Sequence, residues 1–316
     1  MLSLGSFVPE GRLTNADLEQ LVSTSDRWIL ERTGIRERRR VGAGETASVL
    51  GAAAARNALR RAGDPSVDAL LLATTSPDTL FPSTACLVQR RLGLSGFPAL
   101  DISAACSGFV YGLTIADSLV RSGAAQRVLV VAAEAMTSLI DYGDRSTCVL
   151  FGDGAGAAVV GGVESGGVVA THWAADGGES DLIYYGSGPV AGQESAAVRM
   201  AGRGTFRLAV ERMVETAERL CASAGWSLSD VDRVVPHQAN LRIVEAVAKR
   251  LAMPMSRVVF NGDVYGNTSG ASIPLALDEA QRDGRLREGD RVLCIAFGAG
   301  ATWGGVALEW TAPPPR

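Results

Sequence analysis

Several features that would point to particular classes of protein are scarce or missing in this chain. Of its 30 basic residues only Lys249 is a lysine, and because the net charge is −4, a basic surface for nucleic acid is not predicted. Its longest apolar runs, such as residues 128–133, are strand length and far short of the ~20 residues that a membrane span needs. No charged and then apolar leader opens the chain, so we expect a cytoplasmic protein.

The cysteine and histidine patterns of a disulfide framework or a metal site are also missing. The five cysteines are scattered without any C-x-x-C pair, and the only histidines are His172 and His237. A disulfide-stapled fold and a zinc site are therefore not expected. One or two cysteines can carry chemistry, and the others are interpreted as small buried residues. The cysteines are Cys86, Cys106, Cys148, Cys221 and Cys294.

Short apolar runs alternate with Ala-rich stretches along the chain. Near-continuous runs of Val, Leu and Ile are typical of strands that helices cover on both faces, so the pattern predicts an α/β fold. The predicted strands are residues 68–76, 127–133, 157–162, 232–237, 291–297 and 304–310. The predicted helices are residues 47–62, 84–92, 107–122, 205–224, 241–252 and 272–283.

The strand-like segments repeat along the chain. Asp68 and Asp232 each open a predicted strand, 164 positions apart, and two Arg-Val-Leu strands repeat that spacing. Several matches in the same order indicate a duplicated α/β unit. We therefore expect two halves, residues 1–165 and 166–316, joined through a Gly-rich stretch.

Cys106 stands in a tight turn of small residues between a predicted strand and a predicted helix. Taken alone, a cysteine in such a turn is more often structural. At an offset of 164, however, Cys106 corresponds to Gly270 in a similar turn, and two helix N-termini that meet would form an active site. The helix N-terminus is expected to lower the pKa of the Cys106 thiol.

His237 and Asn267 are the other candidates for catalysis. His237 ends a predicted strand, which is where α/β folds place their sites, whereas His172 has no such position and is interpreted as structural. Asn267 lies in a Gly-flanked turn, where Asn can simply tolerate a left-handed backbone or can donate to an oxyanion. The glycine turn after residue 297 precedes no helix, so a backbone N–H directed at an oxyanion fits it better than phosphate binding does.

Five segments, taken together, resemble β-ketoacyl-acyl-carrier-protein synthase III, the condensing enzyme that starts fatty acid synthesis. They are residues 24–36 (TSDRWILERTGIR), 105–109 (ACSGF), 236–242 (PHQANLR), 266–269 (GNTS) and 297–298 (FG). The resemblance runs from Gly5 to Trp310. It implies the five-layered thiolase-like αβαβα fold, in agreement with the duplication, and a homodimer.

The resemblance also implies a mechanism. Cys106 would take an acyl group from acyl-CoA, and malonyl-acyl-carrier protein would then lose CO2 and attack the acyl-cysteine. His237 and Asn267 would stabilise the enolate, while the backbone N–H groups of Cys106 and Ala299 would form an oxyanion hole. Acyl-CoA is a substrate in this scheme, and no metal or redox cofactor is called for.

Other residues match positions where the family binds its substrates. Three residues match positions where the family contacts the CoA nucleotide by stacking and by planar cationic groups. They are Trp28, Arg32 and Arg145. Those matched to a basic patch for the acidic carrier protein are Arg207, Arg242, Lys249 and Arg250. Phe81 matches a residue that crosses the dimer to limit the acyl pocket of the other subunit. Residues 186–203 would form either a rim of the pocket or a surface loop.

The chain departs from the family pattern at Ala299 and Ala301, which leaves the length of the acyl chain open. A thiolase would need a second cysteine in the turn at residues 297–305, and an elongating ketosynthase a second histidine in place of Asn267. Hydroxymethylglutaryl-CoA synthase would need a carboxylate near the nucleophile, and no Glu lies in a matching turn, although Glu134, after a central strand, is a candidate to examine. The remaining alternative is a related starter-unit or acyl-transfer enzyme of secondary metabolism, which forms esters or loads primers.

Overall fold

A computed structural model of the chain describes residues 1–186 and 196–312. Its strands are β1 (Ser3–Phe7), β2 (Arg12–Thr14), β3 (Glu37–Arg39), β4 (Ala69–Ala73), β5 (Ala99–Ile102), β6 (Arg127–Ala135), β7 (Asp153–Gly161), β8 (Gly167–Ala175), β9 (Ile183–Gly186), β10 (Ala197–Met200), β11 (Arg233–Pro236), β12 (Arg291–Gly298) and β13 (Thr302–Glu309). Its helices are α1 (Asn15–Glu19), α2 (Asp26–Thr33), α3 (Ala47–Arg61), α4 (Thr84–Leu92), α5 (Gly108–Arg121), α6 (Arg145–Cys148), α7 (Gly202–Ala224), α8 (Leu241–Arg250), α9 (Gly262–Tyr265) and α10 (Ser272–Arg282).

Two large sheets have the same internal order. The first runs β1-β7-β6-β4-β5 and the second β8-β13-β12-β11. In each sheet a parallel pair (β4 with β6, β11 with β12) is followed by an antiparallel neighbour (β7 beside β6, β13 beside β12). Three pairs of strands begin at the same spacing in the two halves. They are β1 and β8 (residues 3 and 167), β4 and β11 (residues 69 and 233), and β6 and β12 (residues 127 and 291). The carboxyl ends of β6 and β12 therefore occupy equivalent positions in the two sheets.

The sheets and helices stack in five layers. α3 and α4 cover the outer face of the first sheet, α5 and α10 lie between the two sheets, and α7 and α8 cover the outer face of the second. Because both faces of each sheet are covered, central strands are apolar throughout: β6 is buried from Val128 to Ala135. The predicted αβαβα fold is confirmed, and the middle layer brings the N-termini of α5 and α10 together.

Helix ends follow local chemistry that is visible in the sequence. α4 has the predicted bounds because Ser83 Oγ accepts a hydrogen bond from the Cys86 backbone N–H at 3.3 Å, and Gly93 ends the helix with a φ of 72°. α7 begins at Gly202, earlier than the predicted residue 205. No helix within residues 1–186 and 196–312 is both long and apolar enough to cross a membrane.

Of the segment predicted as a pocket rim or surface loop, residues 187–195 lie outside the described residues. The flanking parts form the hairpin of β9 and β10, in which Ala197 pairs with Gly186. Val198, Met200 and Arg203 line the large cavity described below. The described parts of this segment therefore border the cavity, which agrees with the expectation of a pocket rim.

Candidate active site

Two matching turns meet at the centre of the molecule. One is a 3₁₀ turn, Ala105–Ser107, that leads into α5, and the other is Ser269–Ala271, which leads into α10. Ala105 and Ser269 have left-handed φ values of 46° and 49°, which is uncommon for residues other than glycine. Such backbone costs about 1 kcal/mol or more per residue and is concentrated at functional sites.

The nucleophile candidate, Cys106, lies at the middle of the first turn. Its thiol contacts the Ser269 hydroxyl of the second turn, with 3.7 Å between Sγ and Oγ. The expectation that the helix N-terminus lowers the pKa of this thiol is wrong. Burial raises the pKa of Cys106 to about 12, and the nearby Glu134 carboxylate adds to this, while the hydrogen bond to Ser269 acts in the opposite direction.

A third turn, after β12, packs against the backbone of Cys106. A Cβ atom at Gly298 would lie 2.7 Å from the Cys106 backbone N, so only glycine permits this approach. Thr302 Oγ1 donates to the carbonyl oxygens of Ala104 and Ala299, at 2.9 and 3.0 Å. These bonds hold Ala299 beside Cys106 at the cavity wall, where their N–H groups were expected to form an oxyanion hole.

His237 follows β11 and is 3% exposed. Its Nδ1 lies 2.8 Å from Ser272 Oγ, and the Gln238 backbone N–H donates to the same oxygen at 3.4 Å. We assign the Ser272 proton to the bond with Nδ1, because the Ser272 oxygen already accepts from Gln238, and this assignment makes Nε2 the protonated nitrogen. Burial lowers the pKa of His237 to about 3, so the imidazole is neutral at neutral pH.

Asn267 is fixed from both its backbone and its side chain. Its backbone N–H donates to the Leu150 carbonyl at 2.8 Å, and its carbonyl accepts from the Gly152 N–H at 3.0 Å. Its side-chain Oδ1 accepts a hydrogen bond from the Ser269 N–H at 2.8 Å. Because the oxygen is engaged there, the amide NH2 group is the part left to act as a donor in the cavity that Asn267 lines.

These groups share one cavity of about 830 Å³. Of the residues predicted from the sequence, it is lined by Trp28, Arg32, Cys106, Arg145, His237, Arg242, Asn267 and Ala299. Predicted residues that do not line it are Phe81, Arg207, Lys249 and Arg250. Further lining residues, which were not predicted from the sequence, include Tyr184, Phe206 and Met213. They are large and mostly apolar, so much of the cavity wall is apolar.

Trp28 and Arg145 form a contact at the mouth of the cavity. The Arg145 guanidinium lies 4.6 Å from the centroid of the Trp28 ring, and its Nη1 donates to the Ser23 carbonyl at 2.9 Å. Trp28 is placed by α2, whose first turn is capped by Ser25. Arg32, on the same helix, is exposed beside them. The mouth therefore presents an indole ring and exposed guanidinium groups to solvent.

The four basic residues predicted for the carrier protein lie on α7 and α8, and all four are exposed. Phe81 is 85% exposed next to Leu80, which is 93% exposed, away from this cavity. His172 pairs with Gly305 within the second sheet and does not line the cavity, in keeping with its structural interpretation. The described residues contain no group of three or more His, Cys, Asp or Glu side chains arranged to hold a metal ion.

Comparison with known proteins gives a consistent result. A family model described as 3-oxoacyl-[acyl-carrier-protein (ACP)] synthase III matches residues 100–177, and the model of the C-terminal part of that family matches residues 221–310. A β-ketoacyl-[acyl-carrier-protein] synthase III from Thiobacillus denitrificans is 49% identical over 314 residues, which is 98% of each chain.

Solved structures have the same fold. The crystal structure of 3-oxoacyl-[acyl-carrier-protein] synthase III from Aquifex aeolicus matches with a TM-score of 0.94 and 46% identity, over 98% of this chain and 99% of that one. The priming β-ketosynthase from the R1128 polyketide biosynthetic pathway matches with a TM-score of 0.93 and 37% identity, over 99% of this chain and 96% of that one.

Proposed function

Because the chain belongs to the 3-oxoacyl-[acyl-carrier-protein] synthase III family, we propose that it is an acyltransferase that initiates fatty acid or polyketide synthesis. It loads an acyl group from acyl-CoA onto Cys106 and condenses that group with malonyl-acyl-carrier protein, with loss of CO2. The product is a β-ketoacyl-carrier protein. The observation that carries this proposal is the convergence of Cys106, His237 and Asn267 in one cavity with an apolar wall.

In the first half-reaction, Cys106 Sγ attacks the thioester carbon of acyl-CoA. The new C–S bond forms as the carbonyl oxygen becomes an oxyanion, which the N–H groups of Cys106 and Ala299 stabilise. The missing side chain at Gly298 lets the two turns that carry these groups approach each other. Collapse of the intermediate breaks the bond to the CoA sulfur and leaves the acyl-cysteine.

In the second half-reaction, the malonyl thioester oxygen accepts hydrogen bonds from His237 Nε2–H and the Asn267 amide. These donors stabilise the charge that develops when the carboxylate leaves as CO2 and its electron pair forms an enolate. A neutral imidazole suits this role, because it donates a hydrogen bond without giving up a proton and trapping the enolate. The enolate carbon then attacks the acyl-cysteine and displaces the Cys106 thiolate.

Substrates reach the site from the mouth. CoA lies with its nucleotide against Trp28, Arg32 and Arg145, and its pantetheine arm runs down to Cys106. The acidic carrier protein docks on the exposed basic residues beside the mouth, and their charge attracts it. These residues are Arg207, Arg242, Lys249 and Arg250.

The remaining expectations concern organisation. The protein acts in the cytoplasm as a homodimer, in which the exposed Phe81 of one subunit limits the acyl pocket of the other. Its halves, residues 1–165 and 166–316, each contribute one sheet and one of the two matching turns. It uses acyl-CoA as a substrate and needs no metal or redox cofactor.

Replacing Trp28 with alanine should raise the KM for acyl-CoA about fivefold and leave the KM for malonyl-acyl-carrier protein unchanged. A stacking contact with adenine is worth about 1 kcal/mol, and each 1.4 kcal/mol is a factor of ten. Steady-state rates with each substrate varied in turn measure the effect. Trp173→Ala is the matched control, because Trp173 is 48% exposed and does not line the cavity. An unchanged KM for acyl-CoA would rule out Trp28 as the nucleotide contact.

The alternative is transfer of the acyl group to another acceptor, as expected for starter-unit enzymes. This alternative needs a test because the chain is 37% identical to a priming β-ketosynthase of polyketide synthesis. CoA and CO2 should therefore be measured together during turnover with acyl-CoA and malonyl-acyl-carrier protein. Condensation releases the two in equal amounts. Release of CoA without CO2, together with an acylated acceptor, would identify the alternative as correct.

A further inference from the structure

One buried carboxyl group at the site has no part in the mechanism above. Glu134, near the end of β6, is 0% exposed, and it is the candidate for a carboxylate near the nucleophile that was named from the sequence. Its carboxylate accepts hydrogen bonds from the Thr75 N–H at 3.0 Å, from Ser76 Oγ at 2.7 Å and from the Thr75 hydroxyl at 3.1 Å. A buried carboxylate surrounded by donors on one side is held in a fixed orientation.

The other side of Glu134 faces the nucleophile through Ser269. The Cys106 thiol donates to the Ser269 hydroxyl, with 3.7 Å between Sγ and Oγ. The Glu134 carboxylate lies beside the same turn, where its Oε1 is 3.7 Å from the position that a Cβ atom would take on Gly270. A serine hydroxyl has one proton to donate and lone pairs to accept with, so Ser269 is placed to pass a proton from Cys106 towards Glu134, away from the substrate.

The position of Glu134 carries a different residue in the other half of the molecule. Glu134 near the end of β6 corresponds to Gly298 at the end of β12. Each of the two residues lies beside the turn that belongs to the other half. Gly298 makes room for the backbone of Cys106, whereas Glu134 places a carboxyl group on Ser269. The same position therefore serves the oxyanion hole in one half and a buried acid in the other.

Acylation requires that the Cys106 proton go somewhere. Burial raises the pKa of the thiol to about 12, so direct loss of the proton to water is unfavourable at neutral pH. His237 is a poor acceptor, because burial lowers its pKa to about 3. Burial also raises the pKa of Glu134, which makes this carboxylate a stronger base than an exposed one. Asp153, on the adjacent strand β7, is instead bonded to Thr137 and to the Val41 N–H.

We infer that Glu134 is the proton acceptor for Cys106 in the acylation step. Because Glu134 acts through Ser269, it is a positioning residue. The thiol proton passes to Ser269 Oγ as the Ser269 proton passes to the carboxylate. The thiolate then forms its bond to the acyl carbon, and the departing CoA thiolate takes a proton from solvent. The inference rests on the proposed function only in taking Cys106 as the acyl carrier.

Glu134 keeps the proton while the acyl-enzyme exists. When condensation displaces the Cys106 thiolate, the proton returns through Ser269 and restores the starting state. The cycle is balanced: the only proton taken from solvent is the one that the CoA thiolate receives, and it offsets the negative charge that is lost when the malonyl carboxylate leaves as neutral CO2. The pair carries one negative charge before and after each transfer, so burial opposes the transfer less than it opposes loss of a proton to water.

Alkylation of Cys106 by iodoacetamide tests the inference without any acyl-CoA. The rate is followed by mass spectrometry of the peptide that contains Cys106, since Cys86 is exposed and reacts separately. In Glu134→Gln the rate at neutral pH should fall about tenfold or more, a change of one pKa unit or more. If Glu134 were only a negative charge near the thiol, the same substitution would instead speed the reaction, because that charge raises the pKa of Cys106.

Two further variants make the result decisive. Glu134→Asp keeps the charge but is too short to reach Ser269, so it should be slowed as Glu134→Gln is. Asp153→Asn removes another buried carboxylate, one strand away, and should react at the wild-type rate. The wild-type rate should also rise less steeply with pH than the Glu134→Gln rate, which should rise about tenfold per pH unit below the thiol pKa.

A folded Glu134→Gln or Glu134→Asp protein that alkylates as fast as the wild type would overturn the inference. Thermal unfolding of each variant shows whether it is folded at the assay temperature. The outcome is separate from that of the proposed function. If Cys106 follows the alkylation pattern but accepts no acyl group from acyl-CoA, then the proposed function fails and the proton path stands.

Discussion

Asn267→Asp and His237→Ala should each lose release of CO2 from malonyl-acyl-carrier protein by about 100-fold or more, yet still acquire an acyl group on Cys106. The aspartate has almost the same shape as Asn267 and keeps the oxygen that accepts from the Ser269 N–H. It replaces the donating NH2 with an acceptor, so the enolate loses a hydrogen bond and gains a negative neighbour. His237→Ala removes the neutral donor that Ser272 orients.

The two half-reactions are measured separately. Radiolabelled malonyl-acyl-carrier protein reports the release of CO2, and single-turnover mass spectrometry reports acylation. His172→Ala is the matched control, since His172 lies in the second sheet outside the cavity and should leave both rates unchanged. If both site variants release CO2 at the wild-type rate, the enolate is stabilised by other groups.

Cys106→Ala should abolish condensation entirely, because none of the other described residues that line the cavity carries a thiol. Release of CO2 from malonyl-acyl-carrier protein should survive, since His237 and Asn267 remain. Cys86→Ala removes an exposed thiol outside the cavity and should condense normally. β-Ketoacyl product formation, followed with each variant, distinguishes a lost nucleophile from a damaged fold.

The register of the two halves was predictable because repeated strands carry it directly in the sequence. The matching turns at Ala105–Ser107 and Ser269–Ala271 stand at the offset that the repeated strands define. β8 (Gly167–Ala175) escapes such prediction, because buried and partly exposed residues are mixed along it and its segment contains Thr171 and Trp173. An edge strand with one exposed face lacks the continuous apolar run that marks the central strands.

The pKa of Cys106 could not be predicted from the sequence, for a physical reason. The start of α5 is visible near Cys106, and this alone favours a thiolate. The residues that enclose the thiol come from distant parts of the chain, Ser269 and Glu134 among them. Desolvation depends on that enclosure, and here its effect on the thiol pKa outweighs that of the helix terminus.

The side chains of the cavity wall could not be predicted from the sequence either. Phe206 and Met213 lie on α7, where apolar residues at helical spacing could equally belong to the core. Nothing in the pattern distinguishes a side chain that lines a channel from one that packs against a strand. The partner of His237 is also distant, because Ser272 lies 35 positions along the chain. The reactive residues could be selected from the sequence, but the side chains that tune them could not.

The central claim is that Cys106 carries the acyl group, and intact-mass spectrometry tests it most directly. The wild-type protein is incubated with a panel of acyl-CoA thioesters of increasing length and branching, and its mass is compared with that of Cys106→Ala. We predict one acyl adduct per chain, on the peptide that contains Cys106, with at least one member of the panel. An adduct that persists in Cys106→Ala, or a wild-type protein that gains none from any thioester, would contradict the account.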